Sequence, residues 1–297
     1  MTVTGALLTA LLGCALLLLG LAVVIVCKRL LRRRADRRAA ALTAPLRPAL
    51  FSLLGADRLD EEAAEALEVL AAVDVAAWRA LEPTVVSLLT KVRGDAAEAL
   101  TDLLDRRGTI DRAARECRRR DPVRRCRGAE LLGATRALSG VPALVRLLDD
   151  RDPEVRSVAV RALGSVGDPA AAPHLLSALV GDRAVPPRLV AVALVRLCPG
   201  PEDVLVGALL DSSEVVRAMA AEVLGLAGAV TAQAGLVQAV TRDPAIEVRV
   251  RAARALGRLG VPSALAVLID ALDPEAPTAL RVSAAAALGQ LGSPAAV

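Results

Sequence analysis

The sequence predicts an all-α fold: an α-α superhelix of stacked helix pairs, preceded by a single transmembrane helix. Three observations predict it. An Arg recurs at Arg125, Arg156, Arg188, Arg217, Arg249 and Arg281, in steps of 31, 32, 29, 32 and 32 residues. A Leu-Gly pair trails most of these Arg residues by seven positions, at Leu132-Gly133, Leu163-Gly164, Leu224-Gly225, Leu256-Gly257 and Leu288-Gly289. Self-similarity at such a period marks a stacked repeat array. Third, residues 5–27 carry no charge and are followed at once by a basic cluster.

The N-terminal run comes first. As a helix rising about 1.5 Å per residue, residues 5–27 span roughly 35 Å, enough for a bilayer core. Lys28, Arg29, Arg32, Arg33, Arg34, Arg37 and Arg38 follow with only Asp36 against them, and no Lys or Arg precedes the run. The positive-inside rule then puts the N-terminus outside and the rest in the cytoplasm. A secretory signal peptide has the opposite charge order. Leu11-Leu12-Gly13-Cys14 resembles a lipoprotein cleavage box only superficially, because the apolar run continues beyond Cys14. The expected organisation is therefore a membrane anchor at 1–28, a basic juxtamembrane segment and linker at 29–58, degenerate helical repeats at 59–120 and regular repeats at 121–297.

Within 39–48, Ala-rich sequence with Pro45 and Pro48 reads as a hinge. Helical spacing returns from residue 59, with a new helix expected at Glu82-Pro83 and another over 95–104. Such degenerate repeats are expected where an array begins and must be capped. Residues 106–127 form a second basic stretch, with ten Arg against Asp111, Glu116 and Asp121. It reads as a solvated helix face and turn, or as an anion site for lipid, phosphate or nucleic acid.

The regular repeat is clearest at 152–181. Asp152-Pro153 supplies a capping side chain and a first-turn proline. Val155, Val158, Ala159, Ala162, Leu163 and Val166 then fall at i, i+3, i+4, i+7, i+8 and i+11, one face of a helix. Gly167 and Pro169 end it, and a shorter helix follows. One such pair cannot bury its apolar face alone, whereas stacked neighbours can. Asp152, Val155-Arg156, Ala159 and Leu163-Gly164, repeated as Asp243, Val248-Arg249, Ala252 and Leu256-Gly257, resemble the HEAT repeat in the short form of phycobilisome-lyase-like proteins. The resemblance covers roughly 109–297. It implies a HEAT-like solenoid with the Val-Arg helix on the inner layer. It also implies a hydrogen-bonded ladder in which Asp121, Asp152, Asp182, Asp211, Asp243 and Asp273 face Arg125, Arg156, Arg188, Arg217, Arg249 and Arg281.

Composition narrows the function. The chain is +4 overall, yet from residue 140 onward 14 Arg face 16 acidic residues. A solenoid gripping a phosphate backbone is basic along its groove, so extended nucleic-acid binding is disfavoured. There is no Tyr, and the aromatic residues are Phe51 and Trp78, which leaves few rings for base stacking or a small-molecule pocket. Cys14, Cys27, Cys117, Cys126 and Cys198 form no CxxC and no disulfide framework, so they are expected as reduced thiols. Deoxyhypusine hydroxylases, which share this repeat, hold two irons with paired His-Glu steps. The single His174 cannot build that site, and it is expected at the surface. Phycobilin lyases have no short motif to test. No catalytic, metal or cofactor residue set is expected.

Off the buried stripe, the inner-helix positions equivalent to Ser157 are Cys126, Leu189, Ala218, Val250 and Val282. Those equivalent to Val160 are Ala129, Val192, Ala221, Ala253 and Ala285, and those equivalent to Arg161 are Glu130, Ala193, Glu222, Arg254 and Ala286. This strip is small, mostly apolar and nearly neutral. It reads as a protein-binding surface or as packing within the array. The expected function is a membrane-anchored scaffold for protein–protein interaction. A phycobilin-lyase-like enzyme is the alternative, and nucleic-acid or anionic-lipid binding through 106–127 the third reading. The Ala-rich inner helix over 276–291, with only Arg281 charged, is a poor polar cap. Self-association through that end is expected.

Overall fold

A computed structural model describes residues 3–55, 61–89 and 91–292, with side chains from residue 19 onward except those of residues 24, 32 and 35. The chain divides into two compact units, Met1–Arg107 and Gly108–Val297. The described residues are helices and turns, without a strand.

The first unit contains α1 (Val3–Thr43), α2 (Arg47–Gly55), α3 (Glu61–Ala71), α4 (Val75–Leu89) and α5 (Asp95–Arg106). Its core gathers Leu53, Leu70, Trp78, Leu81, Val85, Leu100, Leu103 and Leu104. The Asp74 carboxylate caps α4 by accepting from the Ala76 and Ala77 N–H groups at 2.7 and 2.9 Å. The Arg107 guanidinium lies 4.9 Å from the Trp78 ring centroid, a cation–π contact. Its Nη1 donates to the Ala71 and Val73 carbonyls, which ties the end of α5 to the α3–α4 turn.

The second unit is the repeat array. Its outer helices are α6 (Thr109–Glu116), α8 (Val141–Leu147), α10 (Ala172–Ser177), α12 (Glu202–Ala208), α14 (Gln233–Arg242) and α16 (Leu265–Asp270). They alternate with the inner helices α7 (Pro122–Thr135), α9 (Pro153–Val166), α11 (Pro187–Leu197), α13 (Glu214–Ala227), α15 (Ile246–Leu259) and α17 (Thr278–Leu291). Each inner helix packs on the next inner helix and on its own outer helix, the nearest-neighbour pattern of a solenoid. The expected punctuation is present. The Asp152 carboxylate accepts from the Glu154 N–H at 2.9 Å. Gly167 adopts φ 79° and returns its N–H to the Leu163 carbonyl.

The Leu-Gly pair makes the stack. Leu132, Leu163, Leu194, Leu224 and Leu256 are fully buried. The Gly that follows four of them, all but Leu194, sits against the backbone of the next inner helix. A Cβ on Gly133, Gly164, Gly225 or Gly257 would lie 2.8, 2.8, 2.6 or 2.7 Å from the Cα of Ala162, Ala193, Ala255 or Ala287 respectively. Bare Gly facing Ala lets the inner helices approach near the lower end of the usual range of about 8–10 Å. The α11/α13 step lacks this contact. There the Gly position holds Val195 and the Ala position holds Val223, and the two helices pack together less extensively than the other consecutive inner pairs.

Several sequence expectations are corrected. Among the described residues no helix is long and apolar enough to cross a membrane, so the single-pass placement, with its outside N-terminus and cytoplasmic repeats, is not supported. Helix α1 runs on as one 41-residue helix through the basic cluster. Residues 5–18 of the expected span lie outside the described side chains. The hinge expected within 39–48 is helix up to Thr43, then a 3-10 turn at Ala44–Leu46, then α2. Glu82-Pro83 starts no helix, because α4 continues through Pro83. The compact units divide at Arg107/Gly108, not at residue 120, because α6 already pairs with α7. Residues 293–297, part of the end expected to self-associate, lie outside the described residues.

The seam gives a paired test. Gly225→Ala forces a Cβ into the Ala255 backbone and is expected to cost about 1–3 kcal/mol. Gly289→Ala meets nothing within 4 Å and is expected to be neutral or to stabilise by up to about 1 kcal/mol. Urea unfolding of both variants measures the difference, and equal effects would refute the close-approach account.

Candidate functional site

The ladder is built from the inner-helix Arg residues, with a different register from that expected. Arg217 forks onto Asp243 of the next repeat, with Nε–Oδ2 at 2.7 Å and Nη2–Oδ1 at 3.0 Å. Its Nη1 donates to the Asp211 and Ser212 carbonyls of its own turn. Arg125 donates from Nη2 to Asp150 Oδ1 at 2.8 Å, with its Nε in ion-pair contact with Oδ2, and from Nη1 to the Arg119 and Arg120 carbonyls. The ladder carboxylate therefore stands six residues before the Arg of its own repeat, as Asp150 and Asp243 do, while Asp211 at the same offset accepts from the Ser213 N–H. Asp121 and Asp152, four residues before, are N-caps instead. Asp273, eight before, accepts from the Glu275 N–H.

The remaining rungs are backbone ties. Arg156 donates to the Asp150 and Arg151 carbonyls, Arg249 to the Val240 carbonyl and Arg281 to the Pro274 carbonyl. Asp182 and Arg188 make no ladder contact among the described residues. Leu194 is six residues past Arg188, whereas the other Leu residues are seven past their Arg. Pro187 thus occupies the ladder position, and Arg188 turns onto the open face.

That open face contains a groove of about 640 Å³ between α11 and α13, closed on one side by α15. Its apolar floor is Ala191, Val192, Val195, Met219 and Leu226, and its rim is Pro187, Arg188, Arg196, Glu222 and Arg251. Val192 is half exposed. Arg251 pairs with Glu222 across the α13/α15 step and with Glu247 at 2.7 Å. Glu222 is the one carboxylate in the lining, which holds no His, Cys, Ser or Thr. This set can hold a ligand, but it offers no free acid, base or nucleophile.

Of the strip expected as a partner surface, the groove brings together Val192 and Glu222. Val160, Ala218, Ala221, Val250 and Ala253 are buried and serve packing. Among the described residues, Ser157 bonds the Pro153 carbonyl, Arg161 pairs with Glu154 and Arg254 reaches Ser283, while Leu189 is partly buried against the core. Sequence reasoning missed Val195, Arg196, Met219, Leu226 and Arg251. The usable signal was the one broken Leu-Gly pair, Leu194-Val195. Elsewhere, His174 is exposed. Burial pushes the Cys117 thiol up to about 11, so it stays protonated at neutral pH. Among the described residues no cluster of three or more His, Cys, Asp or Glu could hold a metal.

A family model described as HEAT repeats matches residues 110–196 and 233–297. No curated protein matches the chain. Several solved structures are similar. Human deoxyhypusine hydroxylase in complex with glycerol shares 18% identity over 84% of this chain and 97% of that one, with a TM-score of 0.34. The complex of CpcE and CpcF of phycocyanin lyase from Nostoc sp. PCC7120 shares 20% identity over 80% and 90%, at 0.33. Kap121p shares 14% identity over 84% and 34%, at 0.42. Scores this low say nothing about activity.

The rung supplies a prediction with a pH dependence. Burial pushes the Asp243 carboxyl up, but the Arg217 fork and the Ala245 N–H outweigh it, and the net direction is below the usual carboxylate range. A carboxyl lowered on folding stabilises above its unfolded pKa of about 3.9 and loses that contribution as pH falls through the folded value. Arg217→Ala should strand the Asp243 carboxylate, whose side chain is 6% exposed, and cost about 2–4 kcal/mol. Arg258→Ala, on the surface, should cost less than about 0.5 kcal/mol. Urea unfolding across pH should show the advantage of wild type over Asp243→Asn flat from about pH 5 to 8 and shrinking below about pH 4. An advantage that grows on acidification would refute the rung.

Proposed function

Because the chain belongs to the HEAT-repeat family, we propose that it is a protein-binding scaffold whose α11/α13 groove holds a segment of a partner. The observation that carries this reading is the Val195/Val223 substitution of the Gly-Ala seam. At one step of the stack it exposes an apolar floor under a charged rim. An apolar floor of this kind suits two or three apolar side chains of a peptide, read from an amphipathic helix or an extended strand. The rim adds a charge preference. Glu222 is occupied by Arg251. The exposed Arg188 has no partner among the described residues, and Arg196 makes only a 3.4 Å contact to Ser165. The favoured segment therefore carries an Asp or Glu beside its apolar anchors. The lining supports binding and no catalytic step, since its only carboxylate is paired.

Panning a displayed peptide library against the full chain tests this reading. Enriched peptides should pair apolar residues with Asp or Glu. Val192→Glu, which puts a like charge and a polar group on the floor, should weaken them by about tenfold or more, equivalent to about 1.4 kcal/mol. Enrichment of basic peptides, or binding indifferent to Val192→Glu, would reject the groove.

A further inference from the structure

A second cleft, of about 610 Å³, lies in the Gly108–Val297 unit where the turns of three successive repeats meet. Six guanidinium side chains line it. Arg118 and Arg120 come from the α6–α7 turn, Arg125 from α7, Arg146 from α8, Arg151 from the α8–α9 turn and Arg183 from the turn after α10. Two acids accompany them, Asp149 and Asp150. Asp150 is already committed to Arg125, at 2.7 and 2.8 Å, and to the Asp152 N–H. Arg183 is tied to the Asp149 carbonyl at 2.7 Å. The guanidinium groups of Arg118, Arg120, Arg146 and Arg151 have no acceptor among the described residues, and all four residues are exposed. Linear reading pointed to 106–127. The fold keeps three Arg of that stretch and adds Arg146, Arg151 and Arg183 from later repeats.

Like charges crowded into one concave site repel each other and focus a positive potential that attracts an anion. Guanidinium forks match the paired oxygens of a phosphate. The size of the site separates a compact anion from a polymer. No Phe, Tyr or Trp occurs in residues 108–297, so the rings on which single-strand binders stack bases are missing there. From residue 140 onward 14 Arg face 16 acidic residues, so no basic track runs along the later repeats to carry a duplex. We propose that this cleft binds a compact anion bearing two or more phosphate groups, either free in solution or displayed on a lipid headgroup. The site is separate from the α11/α13 groove and does not depend on the reading given to that groove.

Calorimetric titration of the full chain with sodium tripolyphosphate, at fixed ionic strength with sulfate as the comparison, tests the proposal. Tripolyphosphate should saturate one site and bind about tenfold or more tighter than sulfate. The double variant Arg118→Gln/Arg146→Gln should weaken it by about tenfold or more, and Arg146→Lys by less, since the charge stays and the fork is lost. The double variant Arg242→Gln/Arg258→Gln, outside the cleft, should change binding by no more than about twofold. Circular dichroism shows whether each variant is folded. If Arg118→Gln/Arg146→Gln fails to fold, the milder pair Arg120→Gln/Arg151→Gln is read in its place. Flotation with phosphatidylcholine vesicles, with and without phosphatidylinositol bisphosphate, separates the sources. Capture only by the latter assigns the headgroup, and tripolyphosphate binding alone assigns a free anion. The proposal is overturned if neither probe binds saturably, if both double variants lose binding equally, or if duplex DNA binds more tightly than tripolyphosphate through the same Arg residues.

Discussion

The array depends on one close approach, a glycine with no Cβ set against the backbone of an alanine on the next inner helix. At four of the five steps between consecutive inner helices the spacing is set by Gly133 on Ala162, Gly164 on Ala193, Gly225 on Ala255 and Gly257 on Ala287. Two further features of the inner layer follow from that spacing. Short side chains such as Ala129, Ala159, Ala220 and Ala252 can fill the layer completely because the helices are close. The Arg217 guanidinium can reach Asp243 with both nitrogens because the next repeat is one close helix spacing away. A chain with almost no aromatic residues can still bury a continuous core this way, with Leu and Val as the large members and Ala as the spacer. The cost is intolerance, since a single methyl at the seam has no room.

The exception at α11/α13 is instructive because two departures coincide. Val195 and Val223 remove the seam, and in the same repeat Pro187 removes the ladder Arg. Either change alone would weaken one contact between neighbours. Together they concentrate looseness at a single step, and that is where the apolar groove opens. In a nearest-neighbour array the energetic effect stays local, so the stack on either side keeps its own seams while this step supplies exposed apolar surface. Local departures from an otherwise consistent pattern are where function is most often carried.

The fold was legible because its signals are periodic. The Leu-Gly recurrence, the Asp-Pro starts and the Gly stops each appear several times, so an error in one repeat is corrected by the rest. The ladder was misread where periodicity alone could not help. An Asp four residues before Arg and an Asp six residues before it both occur, and only the geometry distinguishes an N-cap such as Asp152 from a rung such as Asp150. The strip left open between partner surface and packing divides for a related reason. Among Ala-rich helices packed at seam distance, positions such as Ala221 and Ala253 are covered by the neighbouring helix, and hydrophobicity does not distinguish a covered Ala from an open one. The N-terminal reading rested on hydropathy and charge order, and among the described residues no helix is long and apolar enough to bear it out.

Charge is distributed by the same geometry. In the later repeats acids and arginines nearly balance, and several are consumed in pairs along the inner surface, as with Arg217–Asp243 and Arg251–Glu222. In the first repeats of the array the arginines outnumber the carboxylates that can reach them. Glu116 serves Arg124 and lies near Arg119, and Asp150 serves Arg125. The arginines left over are not scattered. Turn follows turn along one edge of a solenoid, so unpaired side chains at equivalent turn positions of successive repeats converge there. Arg120 and Arg151, each five residues before the Arg of its repeat, are distant in sequence and share one cleft for that reason. The repeat thus turns a compositional bias toward arginine into a local concentration of positive charge, while from residue 140 onward acids slightly outnumber arginines.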